Sequence, residues 1–222
     1  GDGLGMGGAT GGSGNVVRGN RAWRNHDDGF DFSGAAGVLI EQNWSWENGF
    51  NDSLVNGDGN GAGFKLGLND ASDGGHTVQY NLAWNNAEDG FTDNGAGTVT
   101  TLYHNTAMGN NVSGFANYAF FSAVANVLRN NVAENSDTVS FHANVVHDHN
   151  SWNGCCTVTS ADFVTTDFTA NLGARQADGS LPVSTFLHLA PGSDLINAGV
   201  DVGLPFAGAA PEAKLIFQAI GC

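Results

Sequence analysis

The hexapeptide NRAWRN at residues 20–25 begins and ends with asparagine, and the chain repeats this pattern along its length. Clear copies are NWSWEN at 43–48, NLAWNN at 81–86 and NTAMGN at 105–110, and weaker copies are NVAEN at 131–135 and HNSWN at 149–153. A short run of β-type residues, such as VLI or TV, precedes each copy. Short strands that recur at a steady interval, without helical periodicity, predict a solenoid whose coils stack on one another.

A Gly-Phe dipeptide is the second marker of the repeat. It occurs at Gly29-Phe30, Gly63-Phe64, Gly90-Phe91 and Gly114-Phe115, with Gly3-Leu4 before them and a degenerate Phe141 after them. The interval is about 25 residues, a usual length for solenoid repeats, except where an insertion at 49–62 lengthens it. Parallel strands lie about 4.8 Å apart, so equivalent residues should form an aromatic column inside and asparagine ladders at the turns.

These markers predict an all-β fold, a right-handed parallel β-helix of about six coils over residues 1–156, because parallel crossovers are almost always right-handed. A loop-rich segment over 157–222 should lie along the helix or cap its end. A leucine-rich repeat would need an LxxLxL pattern that the chain lacks, and a β-sandwich would not keep this register. Solenoids need capped ends, and the chain opens inside a coil, so we expect further coils before residue 1.

The chain is strongly acidic: among its 222 residues are 22 Asp and Glu but only 7 Lys and Arg, for a net charge of −15. Nucleic-acid binding needs clustered basic residues, and bilayer spanning needs a long apolar run, so we expect neither partner. The 14 Phe and 5 Trp residues indicate a packed interior rather than disorder. The three cysteines, Cys155, Cys156 and Cys222, leave two alternatives: a bridge from one of the adjacent pair to Cys222, or three free thiols.

The stretch HDDGFDFSG at 26–34 is the candidate site, because it places Asp27, Asp28 and Asp31 within five positions and contains no basic residue except a histidine. Aligning the coils on Gly-Phe puts Asp2 one coil before Asp28. The position of Asp31 continues in later coils as Lys65, Thr92, Ala116 and His142. Carboxylates on adjacent coils repel one another unless a cation lies between them, and Ca²⁺ prefers such an all-oxygen set. The alignment therefore predicts a calcium site beside Lys65.

Simpler interpretations exist for each of these residues. Asp-Gly is a common turn dipeptide, and we interpret Asp89 in DGFT as a turn residue only. Lys65 can be a solvated lysine on a strand face. The pair His147-x-His149 has a zinc-like spacing but no evident third ligand, so a surface or turn role is favoured. The tryptophans that recur in register, Trp23, Trp46 and Trp84, are interpreted first as a structural stack and second as sugar platforms.

At GDGLG, NRAWRNHDDGFDF, GDGNGAGFKLG, HTVQYNLAWNNAEDGF and TLYHNTAMGN, over roughly the first 150 residues, the chain resembles polysaccharide lyase family 9, the β-helical pectate lyases. The resemblance implies calcium ligands at Asp2, Asp27, Asp28 and Asp31 and a catalytic base at Lys65. It implies a monomeric, secreted enzyme that cleaves polygalacturonate by β-elimination, since such a polymer is too large to enter a cell. Arg24 is a further candidate for contact with this acidic substrate.

Two other functions remain open from the residues alone. The first is a glycoside hydrolase on the same fold, with paired carboxylates drawn from Asp27, Asp28 and Asp31 and held roughly 6.5–9.5 Å apart, as inversion requires. The second is a non-catalytic β-helix, an adhesin or binding module with structural calcium. Ultraviolet absorbance separates lyase from hydrolase, because only a lyase makes an unsaturated uronate.

Overall fold

A computed structural model of the chain describes residues 1–7, 14–50, 59–110, 116–134, 139–154 and 156–205. Three parallel sheets, here called A, B and C, run along this part of the chain. Each coil contributes one strand to each sheet in turn, except the last described coil, which has no strand in sheet C. Sheet A contains β1 (Leu4–Gly5), β4 (Phe30–Asp31), β7 (Phe64–Lys65), β10 (Phe91–Thr92), β13 (Tyr118–Phe120) and β16 (Val139–Phe141). Sheet B contains β2 (Val16–Arg18), β5 (Leu39–Glu41), β8 (Thr77–Gln79), β11 (Thr101–Tyr103), β14 (Val127–Arg129) and β17 (Val146–Asp148). Sheet C contains β3 (Arg21–Trp23), β6 (Trp44–Trp46), β9 (Leu82–Trp84), β12 (Thr106–Met108) and β15 (Val132–Glu134). The predicted parallel β-helix is confirmed.

The aromatic column is the centre of the core. Phe30, Phe64 and Phe91 are fully buried, and their rings stack with centroids 4.9 and 4.8 Å apart. The glycine before each phenylalanine is needed because its backbone packs against the inner side of sheet C. A Cβ on Gly29 would lie 2.1 Å from Oγ of Ser45. The Gly-Phe marker therefore records a close backbone approach next to a ring in the core.

The predicted register is wrong beyond the Phe91 coil. Tyr118 pairs with Phe91 in sheet A and stacks on it at 5.2 Å, while Phe115 lies outside the described residues. Phe141 pairs with Phe120, and Val139 takes the place predicted for Phe141. Ala119 and Ser140, rather than Ala116 and His142, therefore continue the column of Asp31 and Lys65.

The substitution of tyrosine in this column has a physical reason. The Tyr118 ring fills the volume of a phenylalanine, and its hydroxyl lies 2.9 Å from the carbonyl oxygen of Asn105. Asn117 replaces the glycine of the marker, and its Oδ1 accepts a hydrogen bond from Nδ2 of Asn110 at 3.0 Å. The place of Tyr118 in the aromatic column is therefore defined by ring stacking and hydrogen bonding rather than by a Gly-Phe dipeptide.

The predicted asparagine ladders are present at two corners of the helix. In the first, each side-chain Nδ2 donates to Oδ1 of the next coil at 2.9–3.1 Å, through Asn20, Asn43, Asn81, Asn105, Asn131 and Asn150. In the second, the same bonds measure 2.8–3.0 Å, through Asn25, Asn48, Asn86, Asn110 and Asn117. Most of these amides are buried, and their hydrogen bonds to the next coil fix the register of the coils.

The C-terminal segment covers the outer face of sheet C. This sheet points small residues inward and large ones outward, so Trp44, Trp46 and Trp84 need a cover. Phe186 and Leu187 pack on them, together with Phe163, Leu181 and Leu195. Short 3-10 helices at Ser151–Asn153, Ser160–Asp162 and Thr169–Leu172 shape the approach to this cover. The boundary between 1–156 and 157–222 stays a prediction.

The structure gives the bonding state of one of the three cysteines. Cys156 is disulfide-bonded, so the alternative with three free thiols is wrong. Cys155 and Cys222 lie outside the described residues. Across the described part of the chain, no helix has the length and apolar character needed to cross a bilayer.

Candidate active site

The site lies on the outer side of sheet A, where the coil register brings distant residues together. Asp31 pairs with Gly5 in the coil before it and with Lys65 in the coil after it. The backbone N–H of Gly3 donates to the carbonyl oxygen of Asp28, which places Asp2 beside Asp28. The predicted neighbours of Asp31, Lys65 on one side and Asp2 with Asp28 on the other, are therefore confirmed as neighbours.

Asp28 is the buried member of this group. Its Oδ1 accepts hydrogen bonds from the backbone N–H groups of Gly61 and Ala62, at 3.1 and 2.7 Å. Its Oδ2 is buried and lies 3.1 Å from Nζ of Lys65, an ion-pair distance, but receives no well-directed hydrogen bond. One oxygen thus anchors the side chain to the next coil, and the other faces the centre of the group with capacity for a further partner.

Lys65 lies between two carboxylates. Its Nζ is also 3.1 Å from Oδ2 of Asp31, and its side chain is only 14% exposed. Oδ1 of Asp31 is occupied by the backbone N–H of Ser33 at 2.7 Å, which orients Oδ2 toward the amine. The simpler interpretation of Lys65 as a solvated lysine is therefore wrong.

The ionisation of the group follows from burial and close charges. Burial raises the pKa of Asp28 to about 6, although the charge of Lys65 acts against this shift. Burial, followed by the charges of Asp31 and Asp27, raises the pKa of Asp2. Burial acts to lower the pKa of Lys65, but the charges of Asp28 and Asp31 outweigh it and hold this pKa above its usual value. The single charge of Lys65 therefore does not compensate the three carboxylates, and these carboxylates favour the protonated form of the lysine.

The group fits a hard divalent cation. Asp2, Asp28 and Asp31 each offer one oxygen, and these three oxygens lie within 4.8 Å of one another. Two oxygens that are each about 2.4 Å from a shared Ca²⁺ lie at most about 4.8 Å apart. The buried Oδ2 of Asp28, without a directed donor, is the atom that such an ion would satisfy. All three candidate ligand atoms are oxygens, which favours calcium over zinc.

Asp27 lies outside this three-carboxylate group. Its Oδ1 accepts a hydrogen bond from the backbone N–H of Asn60 at 2.8 Å, and a Cβ on Gly59 would lie 2.4 Å from its Cγ. The chain that returns after the insertion therefore packs directly on Asp27. A role for Asp27 as a fourth ligand stays a prediction.

Two residues beside the site, Asn60 and Glu88, are not among those predicted from the sequence. Nδ2 of Asn60 lies 3.4 Å from Oε2 of Glu88, so Asn60 connects Asp27 to the coil after Lys65. Burial raises the pKa of Glu88 to about 7, and the charges of Asp89 and Asp28 act in the same direction. The available signal was register: Glu88 precedes Asp89-Gly90 as Asp27 precedes Asp28-Gly29.

No third metal ligand lies beside the paired histidines in the described part of the chain. The three-aspartate group is the one cluster of metal-ligating side chains that the described residues contain. Nδ1 of His149 lies 2.8 Å from Oδ1 of Asp148, and Nδ1 of His147 lies 2.8 Å from Nδ2 of Asn153. These contacts fit the surface role favoured from the sequence.

Comparison with known proteins decides the family. Residues 1–144 match the family model described as a Pel9A-like, right-handed beta helix region. The chain belongs to this family. The match also confirms the right-handed coil, and the resemblance to family 9 pectate lyases in the sequence is therefore confirmed.

Relatives from this family and from solved structures extend beyond the present chain. Pectate lyase L of Dickeya dadantii (strain 3937) is 36% identical over 210 residues, which cover 90% of this chain and 47% of that protein. The crystal structure of pectate lyase Pel9A superposes with a TM-score of 0.78 at 32% identity, and a rhamnogalacturonan lyase with 0.69 at 28%. These superpositions cover 92% and 86% of this chain but 51% and 52% of those structures. The chain spans about half the length of the relatives it matches.

Proposed function

We propose that the chain carries the active site of a calcium-dependent polysaccharide lyase that cleaves polygalacturonate by β-elimination. The observation that carries this proposal is the position of the Lys65 amine, 3.1 Å from carboxylate oxygens of both Asp28 and Asp31. Removal of a proton next to a carboxylate requires a cation to offset the carboxylate charge and a base to take the proton. A set of aspartates that can bind a cation, with an amine beside it, can provide both. The names of the relatives, pectate lyases, support the same substrate.

The three aspartates of the group would hold the cation, with Asp27 proposed as a fourth ligand. When bound, Ca²⁺ would offset the negative charge of the uronate carboxylate and so make the adjacent C5 proton more acidic. Asp28 is fixed by the backbone of the next coil, so its Oδ2 has little freedom to move. The site is therefore organised before the substrate arrives, which lowers the cost of reaching the transition state.

Lys65 is proposed as the base. Its Nζ takes the proton from C5, and the electron pair left behind forms the C4–C5 double bond. The C4–O4 bond breaks with its electron pair going to O4 of the leaving sugar, which takes up a proton from the solvent. Lys65 can accept this proton only when it is neutral. It loses its own proton more readily once the charges of Asp28 and Asp31 are shared with a cation, because those charges now hold its pKa high.

The geometry gives less support to one form of the hydrolase alternative, an inverting pair of Asp28 and Asp31. Oxygens of Asp28 and Asp31 lie within 4.8 Å, closer than the roughly 6.5–9.5 Å that an inverting pair needs to admit a water. A secreted location is proposed because the polymer cannot enter a cell, and the disulfide at Cys156 fits an oxidising compartment.

The test is the ultraviolet absorbance of unsaturated uronate during incubation with polygalacturonate and Ca²⁺. We expect absorbance to rise with calcium and to stop rising when a strong chelator is added. New reducing ends without this absorbance would identify a hydrolase. Calcium binding without cleavage of polygalacturonate or rhamnogalacturonan would identify the non-catalytic alternative.

A further inference from the structure

A buried aspartate lies in the turn between sheets A and B, beyond the strand that carries Lys65. This residue, Asp73, is only 1% exposed. Its backbone N–H donates to the carbonyl oxygen of Asp70 at 3.2 Å, and its carbonyl oxygen accepts a hydrogen bond from the N–H of Thr98 at 2.9 Å. The Asp73 side chain therefore extends from a segment whose backbone is held on both sides.

One oxygen of Asp73 joins two neighbouring coils. Its Oδ2 accepts hydrogen bonds from the backbone N–H groups of Gly34 at 3.1 Å and Leu68 at 2.8 Å. Gly34 lies three residues after Asp31, and Leu68 lies three residues after Lys65. Hydrogen bonds to an ionised carboxylate are stronger than those to a neutral oxygen. Asp73 thus connects the segment that follows the candidate calcium ligand to the segment that follows the candidate base.

The contact with Gly34 extends to the Asp31 carboxylate. The N–H of Ser33, the residue before Gly34, donates to Oδ1 of Asp31 at 2.7 Å. Gly34 has a φ of +80°, a left-handed conformation that only a residue such as glycine adopts easily. Because the two amides belong to consecutive residues of one turn, a shift of the Gly34 N–H also moves the Ser33 N–H. The direction of Asp31 Oδ2 therefore depends on the hold that Asp73 has on this turn.

A second buried aspartate makes similar contacts away from the site. Asp93 is fully buried and accepts hydrogen bonds from the backbone N–H groups of Phe121 and Ser122, at 3.0 and 3.1 Å. These two residues follow β13, which carries no candidate site residue. Both aspartates stabilise turns, but only Asp73 joins the segments after Asp31 and Lys65. Asp93 is therefore a matched control for the burial and the hydrogen bonds of Asp73.

We propose that Asp73 is a positioning residue for the aspartate–lysine site, which it keeps in the geometry needed for calcium binding and proton removal. Through Gly34 and Ser33 it orients Oδ2 of Asp31 toward the cation. Through Leu68 it holds the segment that follows Lys65. The inference rests on the proposed function for the roles of Asp31 and Lys65. Partners that orient metal-binding side chains in this way typically contribute about 10–100-fold to metal affinity.

The experiment combines calorimetric titration of the whole chain with Ca²⁺ and measurement of kcat on polygalacturonate at saturating calcium. Asp73→Ala should weaken calcium binding by about 10–100-fold. It should also lower kcat at saturating calcium, by up to about 10²-fold, because small displacements of a catalytic group are costly. Asp73→Asn keeps an acceptor oxygen but loses the charge, so its calcium affinity should decrease less, by about fivefold.

Asp93→Ala and Asp93→Asn are the controls for a purely structural role. They should lower the thermal unfolding temperature as the Asp73 variants do, but leave calcium affinity and kcat near those of the unaltered protein. If Asp73→Ala does not fold, Asp73→Asn is compared with Asp93→Asn in its place.

Unchanged calcium affinity in the folded Asp73 variants would overturn the inference, and so would an equal loss in the matched Asp93 variants. Weaker calcium binding with unchanged kcat would support the link to Asp31 and overturn the link to Lys65. If the unaltered protein binds no calcium, the inference and the proposed function fail together. Calcium binding by the unaltered protein with no effect of Asp73 refutes the inference alone.

Discussion

Two coils of the helix carry almost the same acidic tetrapeptide, DDGF at 27–30 and EDGF at 88–91, and only one of them forms a candidate metal site. Asp28 and Asp89 occupy equivalent positions two coils apart. Each is buried, and each accepts a hydrogen bond from the backbone of the following coil, Asp28 from Ala62 at 2.7 Å and Asp89 from Ala116 at 2.8 Å. Burial raises the pKa of both to about 6.

The coils differ in what surrounds the shared aspartate. Asp28 has Asp2 in the preceding coil and Asp31 two residues after its glycine, whereas Asp89 has Ala62 and Thr92 in those places. Lys65 follows Asp31 in the next coil, whereas Ala119 follows Thr92. The motif supplies a buried aspartate that joins two coils, and the neighbouring coils decide whether it can also bind a cation.

The largest difference between the coils should come from the amine. Lys65→Ala should lower kcat by about 10²–10⁴-fold, the usual contribution of a positioned base, with calcium affinity unchanged or improved. Lys65→Arg should be almost as inactive, because guanidinium does not deprotonate in this range. Activity of the unaltered protein should rise with pH along one basic limb. Initial rates of unsaturated-uronate formation measure these effects.

Arg129→Ala serves as the control for the amine, since it removes a positive charge far from the site. Near-normal turnover by Lys65→Ala would mean that the base lies elsewhere. The coil with DDGF would then differ from the coil with EDGF only in metal binding.

Matched amide substitutions test the aspartates themselves. Asp28→Asn keeps an oxygen for the backbone of Gly61 and Ala62 but removes the charge, so activity at limiting calcium should decrease by at least the roughly 10–100-fold that outer-shell losses cause. Asp89→Asn should retain activity. Rates across a calcium titration compare the two variants, and equal losses would show that the coils do not differ in metal binding.

Both coils share the aromatic column, so a change there should affect stability rather than distinguish them. Phe91→Ala removes a fully buried ring between Phe64 and Tyr118 and should lower the free energy of unfolding by about 3–5 kcal/mol. Denaturant unfolding measures this loss. A cost below about 1 kcal/mol, no more than a well-tolerated core exchange, would contradict the stacked column.

The smallest effect is the pH dependence due to Asp89. Its folded-state pKa of about 6 exceeds the ordinary value of 3.8, so the folded state binds more protons than the unfolded state between these values. Stability should therefore fall as pH rises through this window, by about 2–3 kcal/mol for a shift of this size. Asp89→Asn should remove that part of the slope. Unfolding at pH 4 and pH 7 tests it, and identical slopes in the two proteins would refute it.

The sequence was sufficient for much of the site because a parallel β-helix converts sequence spacing into contact. The spacing of the Asn and Gly-Phe markers alone predicts that Asp2 and Lys65 lie on opposite sides of Asp31. The Gly-Phe marker does not predict Tyr118, because ring volume and the hydroxyl contact with Asn105 set that position.

Residues outside the repeat could not be placed in this way. Asn60 returns from an insertion of irregular length, so nothing in the spacing predicted its contacts with Asp27 and Glu88. The insertion also gave no indication that Asp27 would lie outside the three-carboxylate group.

The sequence by itself determined the coil, its register over the first coils and the meeting of Asp28, Asp31 and Lys65, because stacking at a fixed strand spacing leaves one neighbour for each position. Only the tertiary structure decided how residues 156–205 cover sheet C and how Arg21 comes to donate to the carbonyl oxygens of Asn171 and Gly173. That segment has no period, so its position depends on which outward tryptophans it buries and which arginine donors its carbonyl groups satisfy.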